Sequence, residues 1–150
     1  MDKRIYKTMD YISFNDMTIT DALFQNHVLI IKFDGVYCFL ENNNEKGVFV
    51  SNGQQKLVIT VRNILNWHDW ENERQSTDDF SVLNGKTFLA LESKEEKKIK
   101  LIYSIGEIEI EITEIFSEIL LTDLYWYRGL DAEERKYMNL PISSLPVSFF

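Results

Sequence analysis

The segment 107–112 reads EIEIEI and alternates acid and isoleucine without interruption. Successive side chains of a β-strand point to opposite faces of a sheet, so the isoleucines share one face and the glutamates share the other. This alternation is typical of an antiparallel strand that packs one face on the core and leaves the other in water. The segment therefore predicts a half-buried strand with Glu107, Glu109 and Glu111 on its solvent face.

The alternation is interrupted directly after this strand. Thr113 and Glu114 place two polar residues side by side, and Ile115 and Phe116 place two apolar residues side by side. One extra residue on one strand of a pair produces this pattern, and it keeps the later apolar residues on the core face. We therefore expect a β-bulge near Thr113.

Much of the remaining sequence consists of short β-prone runs separated by turn signals. Asp34-Gly35, Asn52-Gly53 and Asn84-Gly85 are dipeptides that readily supply the positive φ angles of two-residue hairpin loops. We interpret each of them as a hairpin turn. The flanking and following strands are then expected over 28–33, 36–40, 48–50, 56–61, 80–83, 87–91 and 99–103.

These elements predict an all-β, mainly antiparallel fold, either a sandwich or an open barrel of about eight or nine short strands. A parallel sheet would need crossovers of a dozen residues or more, which the short connections do not offer. A short C-terminal helix is expected over 131–139, because Asp131 and Glu134 match a capping box and Pro141 limits the helix. We expect one domain over 1–150, with frayed tails at 1–10 and 141–150.

The charge of the chain restricts its partners. It has 16 basic and 24 acidic residues, a net charge of -8. Nucleic acids and anionic membranes select basic surfaces, so we expect neither as a partner, whereas a basic protein would fit. No apolar run is long enough for a membrane helix or a secretory signal, and the single cysteine allows no intrachain disulfide, so a cytoplasmic protein is expected.

No pattern in the sequence indicates catalysis or a metal site. The two histidines, His27 and His68, belong to no metal-binding motif, and Asp69 would join them only if folding brought all three together. Cys38 lies in an apolar run, which favours a buried, unreactive thiol over a nucleophile. We therefore expect no catalytic residue, no metal and no cofactor, and a protein that is not an enzyme.

Two aromatic clusters and one acidic stripe are the candidate binding features. The stripe is Glu107, Glu109 and Glu111, which is either a solvated sheet face or a docking surface for a basic protein. Three consecutive aromatics on a strand expose at least one ring, and Trp and Tyr are common interface anchors. Either the expected helix over 131–139 covers the aromatic cluster at 125–127 or that cluster stays exposed. The clusters contain Trp67 and Trp70, and Tyr125, Trp126 and Tyr127.

The order of four segments resembles a group of small bacterial all-β domains of mostly unknown function. The segments are 14–19 (FNDMTI), 29–33 (LIIKF), 57–64 (LVITVRNI) and 106–111 (GEIEIE). Some members of that group are immunity proteins encoded beside polymorphic toxins. Asn15 stands where the group has a histidine, so no role of that histidine transfers, and Asp16 stands at the matching acidic position.

Taken together, these features predict a non-catalytic protein-binding module. The resemblance implies an immunity protein that occludes a toxin domain. The acidic charge and the aromatic clusters then suggest a basic toxin domain, which an acidic rim steers and the aromatics anchor. Two alternatives remain open at this point. One is a structural protein that forms a homo-oligomer by covering an edge strand or the aromatic clusters. The other is an enzyme with an unrecognised site built from scattered carboxylates.

Overall fold

The chain forms one antiparallel sheet of nine strands that curves into a half-barrel, as the sequence predicts for its fold class. The structure is a computed structural model that describes residues 4–8, 12–42, 45–71, 79–121 and 125–129. A single 3-10 helix, Phe80–Leu83, accompanies the strands in this part of the chain. The strands are β1 (Arg4–Thr8), β2 (Ile12–Ser13), β3 (Ile19–Gln25), β4 (Val28–Asn42), β5 (Glu45–Asp69), β6 (Phe88–Glu95), β7 (Lys98–Tyr103), β8 (Gly106–Leu121) and β9 (Tyr125–Gly129).

Three long strands, β4, β5 and β8, form the middle of the sheet and change neighbours along their length. β4 pairs with β5 on one edge and with β3 and then β2 on the other. β5 pairs on its second edge with β8 and then with β9, and β8 pairs on its second edge with β7 and then with β1. The sheet thus has a six-stranded part, β3-β4-β5-β8-β7-β6, and a four-stranded part, β2-β4-β5-β9. The ninth strand, β1, pairs with the last residues of β8.

The two parts meet at a kink, and this kink contains two of the dipeptides that we interpreted as hairpin turns. Gly35 pairs with Asn52 and Phe33 pairs with Gln55, so β5 has one residue more than β4 at this point. Gly53 absorbs the irregularity with a φ of 113°. Both hairpin predictions are wrong here, because the dipeptides face each other across one continuous strand pair and their conformational freedom serves a bulge.

Where β5 and β8 separate, side chains replace the backbone ladder. The buried Gln55 amide donates to the Leu120 carbonyl oxygen at 3.0 Å and accepts from the Leu120 N–H at 2.7 Å. The buried Ser51 hydroxyl donates to the same carbonyl at 3.0 Å. These bonds satisfy backbone groups that the diverging strands would otherwise leave without partners inside the protein.

The late alternating strand and its bulge are confirmed. Ile108, Ile110 and Ile112 are buried, while the glutamates between them are partly exposed. Thr60 pairs with Glu114 and Val61 pairs with Ile112, which leaves Thr113 as the extra residue on β8. The bulge restores the core-facing register, since Ser117 and Ile119 are buried again further along.

The segment 80–83, which we expected to be a strand, is the 3-10 helix. Its apolar residues Phe80 and Leu83 are three positions apart, so they lie on one face of a 3-10 helix and both are buried. Asp79 begins the helix by accepting a hydrogen bond from the Ser81 N–H at 3.0 Å. The following Gly85 does turn the chain, with a φ of 81°, but it joins this helix to β6 and not two strands of a hairpin.

Backbone hydrogen bonds connect β6 to the segment that precedes and begins β3. The Asp16 N–H donates to the Phe88 carbonyl at 2.7 Å, and the Phe88 N–H donates to the Met17 carbonyl at 2.9 Å. The Ile19 N–H donates to the Lys86 carbonyl at 2.8 Å. These bonds fix the position of Asp16 at one end of the half-barrel.

The expected C-terminal helix and both expected tails fall wholly or partly outside the described residues. The expected helix over 131–139 and the tail at 141–150 lie outside them. Within the expected tail at 1–10, residues 4–8 form β1, which pairs with the last residues of β8.

Candidate functional site

The strand β9 presents three consecutive aromatic side chains on the surface. Tyr125, Trp126 and Tyr127 have exposed fractions of 48%, 46% and 53%. β9 pairs with residues 47–50 of β5, in the four-stranded part of the sheet. Most large apolar side chains in the described part of the chain are buried, so this run of exposed rings is a distinct surface.

The backbone of β5 holds Trp126 in place. A Cβ on Gly47 would overlap Cζ3 of the indole and lie 2.7 Å from Cη2, so the ring occupies the space over this glycine. The Phe49 ring meets the indole edge to face, with centroids 5.4 Å apart. Trp126 is therefore exposed on one side and packed on the other, which reduces the entropy that it would lose on binding.

A second irregularity directs Tyr127 toward β4. Val48 pairs with Arg128 and the next residue, Phe49, pairs with Trp126, so Tyr127 is an extra residue on β9. Its ring lies against Tyr37 with centroids 5.0 Å apart and an interplanar angle of 53°. Burial, followed by the neighbouring Tyr127 hydroxyl and the Asp16 carboxylate, raises the pKa of Tyr37.

A cavity of about 200 Å³ opens beside this tyrosine pair. Asp16 lies in its wall with a φ of 66°, a left-handed conformation that Asp tolerates better than most residues. The turn around it is fixed, because the Asn15 N–H donates to Ser13 Oγ at 3.0 Å and Asp16 is bonded to β6 as described above. The polar and aromatic lining consists of Ser13, Asn15, Asp16, Tyr37, Tyr127 and Arg128.

The other aromatic cluster is divided between core and surface. Trp67 is completely buried, and its Nε1 donates to the Tyr103 hydroxyl at 2.8 Å. That hydroxyl donates in turn to the buried carboxylate of Asp69 at 2.7 Å. Trp67 is thus a core residue that cannot touch a partner in this conformation, whereas Trp70 is 61% exposed.

The acidic stripe on β8 lies beside cations of the neighbouring strands. Lys100 Nζ on β7 is 3.5 Å from Glu107 and 3.8 Å from Glu109, and Arg62 Nε on β5 is 3.6 Å from Glu111. All these pairs are at least partly exposed, so they add little stability. They do reduce the negative potential of the stripe, and sequence alone could not show this because the strand neighbours were unknown.

The residues considered for catalysis or metal binding remain apart. His27 lies in the exposed turn between β3 and β4, and His68 is exposed on β5. No group of three or more His, Cys, Asp or Glu side chains that could hold a metal occurs among the described residues. Cys38 is a buried core residue, as its apolar neighbours predicted, and burial raises the pKa of its thiol to about 12.

Comparisons with known proteins identify no family for this chain. No family model matches the chain, and neither the curated proteins nor the solved structures contain a match. Among the described residues, the structure has no helix of the length and apolarity needed to cross a membrane.

Proposed function

We propose that this chain is a non-catalytic protein-binding module that contacts its partner through β9. The observation that carries the proposal is the run of three half-exposed aromatics, Tyr125 to Tyr127, with Trp126 held over Gly47. Trp and Tyr dominate interface hot spots, because they bury a large apolar area and have few rotatable bonds. A ring that is already fixed on one side can contribute this area at a low entropic cost.

The partner that best fits the chain is a basic protein, and an immunity protein that occludes a toxin domain is the specific form of this proposal. The net charge of -8 supports a basic partner, since a complementary charge accelerates encounter. The resemblance of the four sequence segments supports the immunity role. The aromatics of β9 would anchor the partner, and the overall charge would steer it.

The proposal is tested by capturing partners on the immobilised full chain and then measuring their affinity in purified form. Tyr125→Ser combined with Trp126→Ser should weaken binding at least tenfold, as expected for hot-spot anchors. Leu23→Ser is the matched control, because Leu23 is 53% exposed on β3 and lies outside the proposed surface. An affinity that the double variant leaves unchanged would refute the role of β9.

The acidic stripe is tested separately with a triple variant in which Glu107, Glu109 and Glu111 are replaced by Lys. If the stripe steers a basic partner, association slows and its salt dependence becomes weaker. Because Lys100 and Arg62 already lie beside these carboxylates, we expect a smaller loss of affinity than the β9 variant causes. An unchanged association rate would exclude steering by the stripe.

A second candidate function is self-association through the same strand. Among the described residues β9 has one neighbouring strand, β5, and a strand at the edge of a sheet can pair with a strand from a second copy. Sedimentation velocity distinguishes the candidates: a dimer that Trp126→Ser dissociates favours assembly, and a monomer at high concentration excludes it.

A further inference from the structure

We propose that the cavity beside β9 receives one arginine side chain of the partner protein. This inference rests on the proposed protein-binding function and names the chemistry that the partner must present. The cavity, at about 200 Å³, is smaller than the sites that hold drug-sized ligands, so a single side chain is the better match. It lies directly against Tyr127, and thus continues the aromatic surface of β9.

The first element of the site is the carboxylate of Asp16. Asp16 is exposed, and no cationic side chain of the described residues forms an ion pair with it. Its backbone is nevertheless fixed by the hydrogen bond to Phe88 and by the Asn15 turn. A carboxylate on a fixed backbone is a suitable partner for a guanidinium group, which it can bind with two parallel hydrogen bonds.

The second element is the pair of rings formed by Tyr37 and Tyr127. Both residues line the cavity together with Asp16, and their rings contact each other with centroids 5.0 Å apart. The raised pKa of Tyr37 reflects in part the proximity of Asp16, so a ligand in the cavity could contact both the rings and the carboxylate. A planar guanidinium stacks on such rings better than an ammonium does, which favours arginine over lysine.

Arg128 also lies in the cavity wall, and it defines the discriminating test. Its Nη1 donates to the Gly129 carbonyl at 3.1 Å, so part of the guanidinium is engaged with its own strand. The Arg128 charge would repel a bound arginine, whereas it would attract the negative group of a zwitterionic ligand. Removing Arg128 should therefore tighten binding of a cation and weaken binding of a zwitterion.

The experiment follows backbone amide shifts of the full chain while N-acetyl-L-arginine amide is added. We expect saturable shifts at Asp16, Tyr37 and Tyr127, and no saturable shifts with N-acetyl-L-citrulline amide, which lacks the charge. Asp16→Asn should weaken binding at least tenfold, because Asn keeps the left-handed backbone and removes the charge. Glu96→Gln is the matched control, since it removes one exposed carboxylate from the β6–β7 turn and should leave the affinity unchanged.

Three results would overturn the inference: equal binding of the citrulline probe, an unchanged affinity of Asp16→Asn, or a weaker affinity of Arg128→Ala for the arginine probe. Its failure is distinguishable from failure of the proposed function. If the arginine probe does not bind but the β9 variant still loses the partner, the arginine site is wrong and the binding role of β9 stands. If the β9 variant keeps its partner affinity, the proposed function falls whatever the probe does.

Discussion

The buried hydrogen bonds of Tyr103 allow a quantitative test of what stabilises the six-stranded part of the sheet. The Tyr103 hydroxyl accepts from Trp67 Nε1 at 2.8 Å and donates to Asp69 Oδ2 at 2.7 Å, and all three residues are buried. Tyr103→Phe removes this oxygen and keeps the ring. The substitution should therefore leave a buried indole N–H without its acceptor and a buried carboxylate without one of its donors.

The expected loss follows from these two groups. A buried donor without a partner costs about 1–3 kcal/mol, and a hydrogen bond to a charged group contributes about 1.5–3 kcal/mol. Asp69 keeps its bond from the Glu71 N–H at 3.0 Å, which moderates the second cost. We expect the free energy of unfolding to fall by about 2–5 kcal/mol, a large share of the stability of an ordinary domain.

Urea denaturation followed by fluorescence and circular dichroism measures this loss, provided that the two probes coincide. Tyr125→Phe, which removes an exposed hydroxyl, is the control and should change stability by less than about 0.5 kcal/mol. Trp67→Phe should cost less in the Tyr103→Phe background than alone, since the indole has already lost its acceptor. A cost of Tyr103→Phe below about 1 kcal/mol would show that these buried hydrogen bonds do not stabilise the sheet.

Three further predictions concern Cys38 and Gly47. The Cys38 thiol should react with a disulfide reagent only as the chain unfolds, and fast reaction under native conditions would show that it is accessible. The pKa of this thiol is raised only in the folded state, so the unfolded chain loses the proton first as the pH rises. The difference in free energy of unfolding between the unchanged chain and Cys38→Ala should therefore be constant below pH 9 and should fall above it, by up to about 1.4 kcal/mol per pH unit. A difference that stays constant above pH 9 would contradict this. Gly47→Ala should lower the free energy of unfolding by about 1–3 kcal/mol in urea, because its Cβ meets the Trp126 ring. Gly129→Ala, whose Cβ would lie 3.7 Å from the same ring, should cost less, and equal costs would refute the packing of Trp126 on Gly47.

Local sequence patterns predicted the structural features that depend on a single strand. The side-chain alternation of 107–112 and the bulge at Thr113 followed from the order of polar and apolar residues, because burial of one face dictates that order. The same is true of Cys38, whose apolar neighbours determine its burial. The all-β, antiparallel class followed from the same period-two patterns.

Features that depend on the facing strand could not be predicted. Asp34-Gly35 and Asn52-Gly53 are ordinary turn dipeptides until the pairing of β4 with β5 shows that they share one kink. Conversely, the turn at Asn26-His27 has no glycine, yet both residues adopt positive φ angles, of 54° and 63°. The hydrogen bonds across the sheet select these conformations over local preference.

The candidate site was predicted only in part, for the same reason. The aromatic run of β9 was recognisable in the sequence, but the contact of Tyr127 with Tyr37 depends on the bulge in β9. The resemblance of 14–19 singled out Asp16 but gave it no role, and its place in the cavity depends on β6, which holds its turn. The division of the other cluster into a buried Trp67 and an exposed Trp70 required the position at which β5 ends.

Hydrogen exchange of the chain, free and bound to its purified partner, tests the binding role of β9 most directly. If β9 contacts the partner, exchange in the complex is slower at the amides of 125–129 and at the Asp16 turn, and it is unchanged in β6 and β7. Protection confined to the face formed by β7 and β8, with β9 exchanging as in the free chain, would contradict it.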